Sequence, residues 1–248
     1  MTRGRVALVT GANKGVGRGI AQRLAALRMT VYVGARDVEH GSRAAAEIAA
    51  DGADARFVQL DVADERSIEQ AAQRIESECG CLDVLVNNAG ILTDPGLLPS
   101  ATPVEHVRRT YETNVFGVVA VTNAMLPLLR RSTAARIVNI TSDLGSLHHA
   151  AAADHPMGPF PPLLAYNSSK TALNAITVAY ANELRDAGIL VNAVSPGSVA
   201  TDQNEHQGLL TPEEGARIPV RMAALDGDGP TGTFWTENGT LQGRVVPW

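Results

Sequence analysis

The stretch that decides the fold is Arg5-Val6-Ala7-Leu8-Val9-Thr10-Gly11-Ala12-Asn13-Lys14-Gly15-Val16-Gly17. Arg5 to Thr10 is short, apolar and rich in β-branched residues, and it reads as a buried strand. A helix pattern follows from about Arg18 to Arg28. Strand, glycine turn and helix in that order make a phosphate cradle. Glycine lets the backbone approach the anion, and the helix N-terminus presents free N–H groups and positive potential. The spacing Gly-x-x-x-Gly-x-Gly is not the common dinucleotide fingerprint, and without Gly-Lys-Ser/Thr it is not a P-loop. A glycine loop alone could be only a tight turn; its place at the first strand–helix junction favours the cradle.

Downstream the same alternation repeats. A second strand, Val31–Ala35, ends at Arg36, and helical spacing resumes over His40–Ala50. A third strand, Ala55–Leu60, ends at Asp61-Val62; a helix runs over about Asp64–Glu78; a fourth strand, Asp83–Val86, leads into Asn87-Asn88-Ala89-Gly90. Strands alternating with helices predict an α/β Rossmann fold: a doubly wound parallel sheet of about seven strands with helices on both faces. Ligands then sit at the carboxyl ends of the strands, where all these residues fall. Asp61 can bond an adenine amino group, or it can cap the next helix. In such folds a basic residue past the second strand accommodates a 2′-phosphate. Arg36 holds that place and Lys14 adds a second positive charge, which favours NADP(H) over NAD(H). Both could equally be solvated surface charges, and Asp37 could pair with Arg36.

The totals agree with one globular unit. The chain has 248 residues, 45% apolar and 19% charged, enough for a sizeable core. A net charge of -5 with no basic cluster argues against nucleic acid. No apolar run appears long enough to span a membrane, and Val6–Thr10 is too short for a secretory signal. The cytoplasm is the expected location. Cys79 and Cys81 are too few for a disulfide framework and read as small apolar fillers at a helix end.

In the second half, Thr102-Pro103-Val104-Glu105 reads as a helix start, with Thr102 as N-cap. The pattern over Val104–Arg131 suits two helices or one bent one, with Asn114 inside it and Gly117 suggesting close approach of another backbone. Arg136–Ile140 is a fifth strand ending in Thr141-Ser142. Tyr166 and Lys170 stand four residues apart at the start of a regular helix, so they share a face. An ammonium there is expected to stabilise the phenolate and pull the phenol pKa down from ~10. That helix continues to about Asp186, and Gly188 ends it. Ile189–Val194 is the sixth strand, followed by Ser195-Pro196-Gly197-Ser198-Val199-Ala200-Thr201. Residues 202–222 are expected to form a lid, with a helix start at Thr211-Pro212-Glu213-Glu214. Thr231–Thr236 reads as the last strand, Glu237-Asn238-Gly239 as a turn, and Val245–Trp248 as an apolar end that packs on the body.

Taken together, Thr10-Gly11-Ala12-Asn13-Lys14-Gly15-Val16-Gly17, Asp61-Val62, Asn87-Asn88-Ala89-Gly90, Asn114, Ser142, Tyr166-x-x-x-Lys170 and Pro196-Gly197 come in the order and near the spacing of the short-chain dehydrogenase/reductase family. The chain resembles that family over almost its whole length, and with Lys14 and Ala35-Arg36-Asp37 it is most similar to the NADPH-dependent carbonyl reductase branch. The resemblance implies one domain over residues 1–248, a cofactor half of about 1–140 and a catalytic half of about 141–248. It implies Asn114, Ser142, Tyr166 and Lys170 as catalytic residues. Asn114 would distort its helix and hold a water against Lys170. It implies a cofactor, NADP(H), held by Gly11, Asn13, Lys14, Gly15, Val16, Gly17, Arg36, Asp61, Val62, Asn88, Ala89, Gly90, Tyr166, Lys170, Pro196, Gly197, Val199 and Thr201. The Val199 backbone and the Thr201 hydroxyl match the positions that bond the nicotinamide carboxamide.

The implied activity is NADPH-dependent reduction of a small-molecule ketone or aldehyde. Residues 143–165, with His148, His149 and His155, form an insertion relative to the usual family member and are expected to cover the site mouth as a surface loop. An insertion there favours a monomer, with a homo-oligomer left open. The apolar, proline-rich 156–164 hints at a bulky hydrophobic substrate. Two other readings remain: a non-catalytic NADP(H)-binding sensor, against which the complete catalytic set argues, and a sugar-nucleotide epimerase or dehydratase, for which the chain is too short.

Overall fold

Alternate residues of the first strand face opposite ways and both faces are covered, which is why it is apolar throughout. In the computed structural model, which describes residues 4–50, 52–152, 162–237 and 243–248, β1 (Val6–Thr10) is buried along its whole length. Then come α1 (Gly15–Ala26), β2 (Thr30–Ala35), α2 (Val38–Ala49), β3 (Ala55–Gln59), α3 (Glu65–Cys79) and β4 (Val84–Asn87). The second half holds α4 (Val104–Tyr111), a π-helical turn (Glu112–Phe116), α5 (Gly117–Leu129), β5 (Arg136–Ile140), α6 (Leu147–Ala151), α7 (Leu164–Glu183) and β6 (Leu190–Ser195). It closes with α8 (Pro212–Gly215), α9 (Arg217–Ala223), β7 (Phe234–Thr236) and β8 (Arg244–Val245).

One sheet runs in the order β3-β2-β1-β4-β5-β6-β7-β8. The first seven strands are parallel, and β8 pairs antiparallel with β7. The expected strands are therefore present with one addition, since β8 is two residues long and carries no alternation a sequence reading could use. The chain leaves β1 towards β2 and β3, then returns to β4 on the other side. That reversal opens a cleft at the carboxyl ends of β1 and β4. Ala7 and Val9 face α1 and α9 with Ile20, Leu24, Ile218 and Met222. Val6 and Leu8 face the opposite layer with Ile68, Ile75, Val121 and Met125.

Several expectations need correction. Pro103, not Thr102, precedes the first residue of α4. The Thr102 hydroxyl donates instead to the Leu98 carbonyl at 3.0 Å, closing the 3₁₀ turn before it. Asp64, not Asp61, caps α3, accepting from the Arg66 N–H at 3.0 Å. Only the first part of 202–222 is a candidate lid. The Thr211 hydroxyl and Glu214 carboxylate form the expected reciprocal cap, but α9 then buries Ile218, Met222 and Ala223 in the core. The last parallel strand begins at Phe234; just before it the Thr231 hydroxyl accepts from the Val191 N–H and the Thr233 hydroxyl donates to the Asn192 side chain. α7 stops at Glu183, ahead of the turn that Gly188 closes at φ +70. Residues 153–161 and 238–242, including His155, Asn238, Gly239 and most of the 156–164 stretch, lie outside the described residues.

The pattern over 104–131 is a single run, α4 to α5, widened by the π turn at Asn114. By length and composition this 26-residue run could cross a membrane, so the opening reading on apolar runs is corrected; half of its most apolar stretch is buried inside the fold. Gly117 explains its own identity, since a Cβ there would stand 2.7 Å from the Val62 carbonyl oxygen. The Trp248 ring stacks on Phe234 at 5.7 Å, docking the C-terminal end as expected. Replacing Gly117 with Ala should destabilise the protein by roughly 1–3 kcal/mol, because overpacking against a backbone oxygen outweighs the ~1 kcal/mol that Ala gains over Gly in a helix. Urea denaturation checks this; an unchanged midpoint would show that Val62 gives way freely.

Candidate active site

The glycine turn can approach β4 only because it lacks side chains. A Cβ at Gly17 would lie 2.3 Å from the Asn88 amide nitrogen and 2.5 Å from the Gly11 carbonyl oxygen. The turn is then locked: the Thr10 hydroxyl accepts from the Asn88 and Ala89 N–H groups, each at 2.9 Å, and the Asn88 amide donates to the Thr10 and Gly11 carbonyls at 2.8 and 3.1 Å. Asn88 thus shapes the cradle with its side chain. Thr10 was missed as a site residue; its position at a strand end beside a glycine was the available signal. α1 starts at Gly15 with no side-chain cap from Lys14. An uncapped N-terminus behind a backbone-only turn fits the diphosphate of a dinucleotide.

Beyond the end of β3, Asp61 accepts from the Ala63 N–H at 3.0 Å, tightening the strand end. Val62 is buried against Gly117. Asp37 does not pair with Arg36. It caps α2, accepting from the His40 N–H at 2.7 Å, and this bond, followed by the His40 ring, holds its carboxyl below the usual range. Arg36 is exposed and has no ion pair among the described residues. Lys14 is paired with Asp202, which was not foreseen.

On the other wall, Pro196 and Gly197 are half-buried, Val199 is buried, and the Val199 carbonyl accepts from the Asn204 amide at 3.0 Å. The Thr201 methyl faces Gly15, 3.4 Å from where a Cβ would lie.

Tyr166 and Lys170 stand on the first turns of α7, as the spacing required. Ser142 hydrogen-bonds the Tyr166 hydroxyl. Lys170 is 4% exposed; its Nζ donates to the Ile140 carbonyl at 2.8 Å and sits 5.6 Å from the Tyr166 ring centre. The electrostatics correct the expectation. Desolvation pushes the phenol up to about 12, against a lowering by the Ser142 hydrogen bond. Desolvation likewise brings the ammonium down to about 8. Burial outweighs the Ser142 hydrogen bond, so Tyr166 is a neutral donor at pH 7. Lys170, brought down to about 8, stays mostly protonated there.

Asn114 is fully buried at the π turn, and its amide oxygen and nitrogen are both hydrogen-bonded. It accepts from the Ile91 N–H at 2.8 Å and donates to the Ile91 carbonyl at 2.9 Å and the Ser169 hydroxyl at 3.0 Å. Its side chain therefore ties the loop after β4 to α7, and its oxygen shares a corner with Lys170: a Cβ at Gly90 would lie 3.4 Å from one and 3.5 Å from the other.

A second tie was missed. Asp94, fully buried, accepts from the Ala165 N–H at 2.7 Å, capping α7 one residue before Tyr166. Leu163, at the cap position, offers no side-chain bond. Nothing local marks a residue 71 positions away as a helix cap. Replacing Asp94 with Ala would leave a buried N–H unpaired and should cost roughly 1–3 kcal/mol, with kcat falling as the first turn of α7 loosens; Asp94→Asn, which keeps an acceptor, should lie between. Paired urea melts and turnover assays measure this, and equal stability of Ala and Asn variants would refute the capping role.

Comparison with known proteins agrees with this geometry. Residues 5–209 match the family model for short chain dehydrogenase. The chain is 35% identical to short-chain dehydrogenase/reductase 1 of Saponaria officinalis, covering 94% of each chain. It is 35% identical to carbonyl reductase [NADPH] 1 of Macaca fascicularis, covering 98% of each. The structure of NADPH-bound carbonyl reductase from chicken fatty liver superposes with a TM-score of 0.84 at 29% identity, covering 100% of both chains. The glycine cradle, the Tyr166–Lys170 pair and these likenesses make the chain a member of the short-chain dehydrogenase/reductase family of nicotinamide-dependent oxidoreductases.

Proposed function

We propose that this protein reduces a ketone or aldehyde to an alcohol with NADPH, reversibly. The observation that carries the reading is the convergence of Ser142, Tyr166 and Lys170 at the carboxyl ends of β5 and β6, across the cleft from the glycine turn. When bound, the reduced nicotinamide supplies the hydride that reaches the carbonyl carbon. Negative charge then grows on the carbonyl oxygen. The Tyr166 hydroxyl, held protonated by desolvation, donates its proton to that oxygen. The Ser142 hydroxyl hydrogen-bonds the same oxygen and fixes its place. The Lys170 ammonium stabilises the tyrosinate left behind, where its charge matters most because water is excluded. It would also hold the nicotinamide ribose of a bound cofactor. Asn114 holds the Ile91 backbone and Ser169 beside Lys170. NADP(H) is favoured by Arg36, exposed and without an ion pair among the described residues, and by Lys14 in the glycine turn. The naming of NADPH in the reductases this chain resembles supports the same choice.

Tyr166→Phe should lower kcat by about 10²–10⁴, the usual share of a general acid, while NADPH binding followed by fluorescence is retained. Retained turnover would remove Tyr166 from the proton's path; tight NADPH binding without turnover over a broad carbonyl panel would favour the sensor reading. Because kcat/KM reports groups of the free enzyme, it should fall as pH rises through about 8, where Lys170 loses its proton. Below that pH Lys170 is charged and Tyr166, at about 12, is neutral, so the reduction runs at its plateau. A profile flat from pH 7 to 10 would show that Lys170 does not titrate in this range.

A further inference from the structure

Lys14, expected to greet a 2′-phosphate, is already engaged. The turn Asp202–Asn204 reaches over from the end of β6, and the Asp202 carboxylate takes the Lys14 ammonium. The other Asp202 oxygen stands 3.1 Å from His206 Nε2. On the far side, the Gln203 amide donates to the Gly90 carbonyl at 2.6 Å. The turn therefore bridges the two loops that flank the cleft, residues 11–17 and 88–90. Beside Lys14 lies a cavity of about 380 Å³, walled also by Arg18, His40, Arg43 and Asp202. Arg18 pairs with Glu47 at 2.7 Å and His40 with Asp37 at 3.0 Å. Arg43 has no ion pair among the described residues.

We propose that Asp202 is a specificity-determining residue, a carboxylate that holds Lys14 and that a cofactor 2′-phosphate must displace. The inference rests on the NADP(H) reading above. Phosphate near neutrality carries nearly two charges and more acceptor oxygens than a carboxylate, so it wins the ammonium. Asp202 then keeps only His206 and turns its carboxylate towards that phosphate, so its turn must shift away from Lys14. A cofactor without the 2′-phosphate leaves the pair intact and meets no such cost. Asp202 thus narrows the preference that Lys14 creates, and it makes release of the Asp202–Asn204 turn depend on which cofactor enters. Both side chains are more than half exposed, at 65% and 55%, so the pair is weak and screened by salt.

The experiment is equilibrium fluorescence titration of NADPH and of NADH against the wild-type protein, Asp202→Asn and Lys14→Ala, at low and high salt. Asp202→Asn should bind NADPH about two- to fivefold more tightly at low salt, the range of an exposed ion pair. It should leave NADH unmoved and lose most of the gain at high salt. No change, equal changes for both cofactors, or weaker NADPH binding overturns the inference. If Lys14→Ala weakens NADPH while Asp202→Asn does nothing, only the role of Asp202 fails. If the wild type shows no preference for NADPH and Lys14→Ala alters neither cofactor, the NADP(H) reading fails and the inference with it. Both positions are exposed, so loss of folding does not confuse the result.

Discussion

Two loops must touch before this protein has a site. The turn after β1 and the loop after β4 press together so closely that Gly17 has no room for a Cβ beside the Asn88 amide. What closes the contact is polar: one hydroxyl, Thr10, and one amide, Asn88, satisfy four backbone groups between them. Buried backbone groups left unpaired cost free energy. The same contact therefore stabilises the strand ends and frees the first turn of α1 to face the cleft. The reversal of strand order at β1 makes the crevice, and this lock gives it a floor.

The opposite wall is held the same way. α7 is tied to the end of β5 by Lys170 on the Ile140 carbonyl and by the Thr141 hydroxyl on the Lys170 carbonyl. It is tied to the loop after β4 by Asp94 and, through Ser169, by Asn114. The π turn lets Asn114 reach that loop from inside a long apolar helix, where an amide would otherwise be costly. Tyr166 thus rides on a helix fixed at its first turn from two sides.

Desolvation sets the proton inventory. A phenol held high and an ammonium brought low both resist charge where burial removes water, so the site holds a neutral donor and a cation near its titration point. At the rim the balance is different: exposed ion pairs around Lys14, Arg18 and His40 are individually weak, and an incoming dianion can rearrange them.

The sequence by itself determined the alternation of strands and helices, the glycine turn, the Tyr166–Lys170 face and the order of motifs that marks the family, because each is a short-range pattern with its own periodicity or spacing. It overreached where a local signal met a stronger partner, as with Thr102 turning back to Leu98 and a polar-looking 202–222 ending in a core helix. Only the tertiary structure decided that Asp94 caps the catalytic helix, that Asp202 holds Lys14, that Asn114 is bonded to Ile91 and Ser169, and that burial reverses the expected shift of Tyr166. These depend on groups from 23 to 188 residues apart and on how much water remains between them, which no local pattern records.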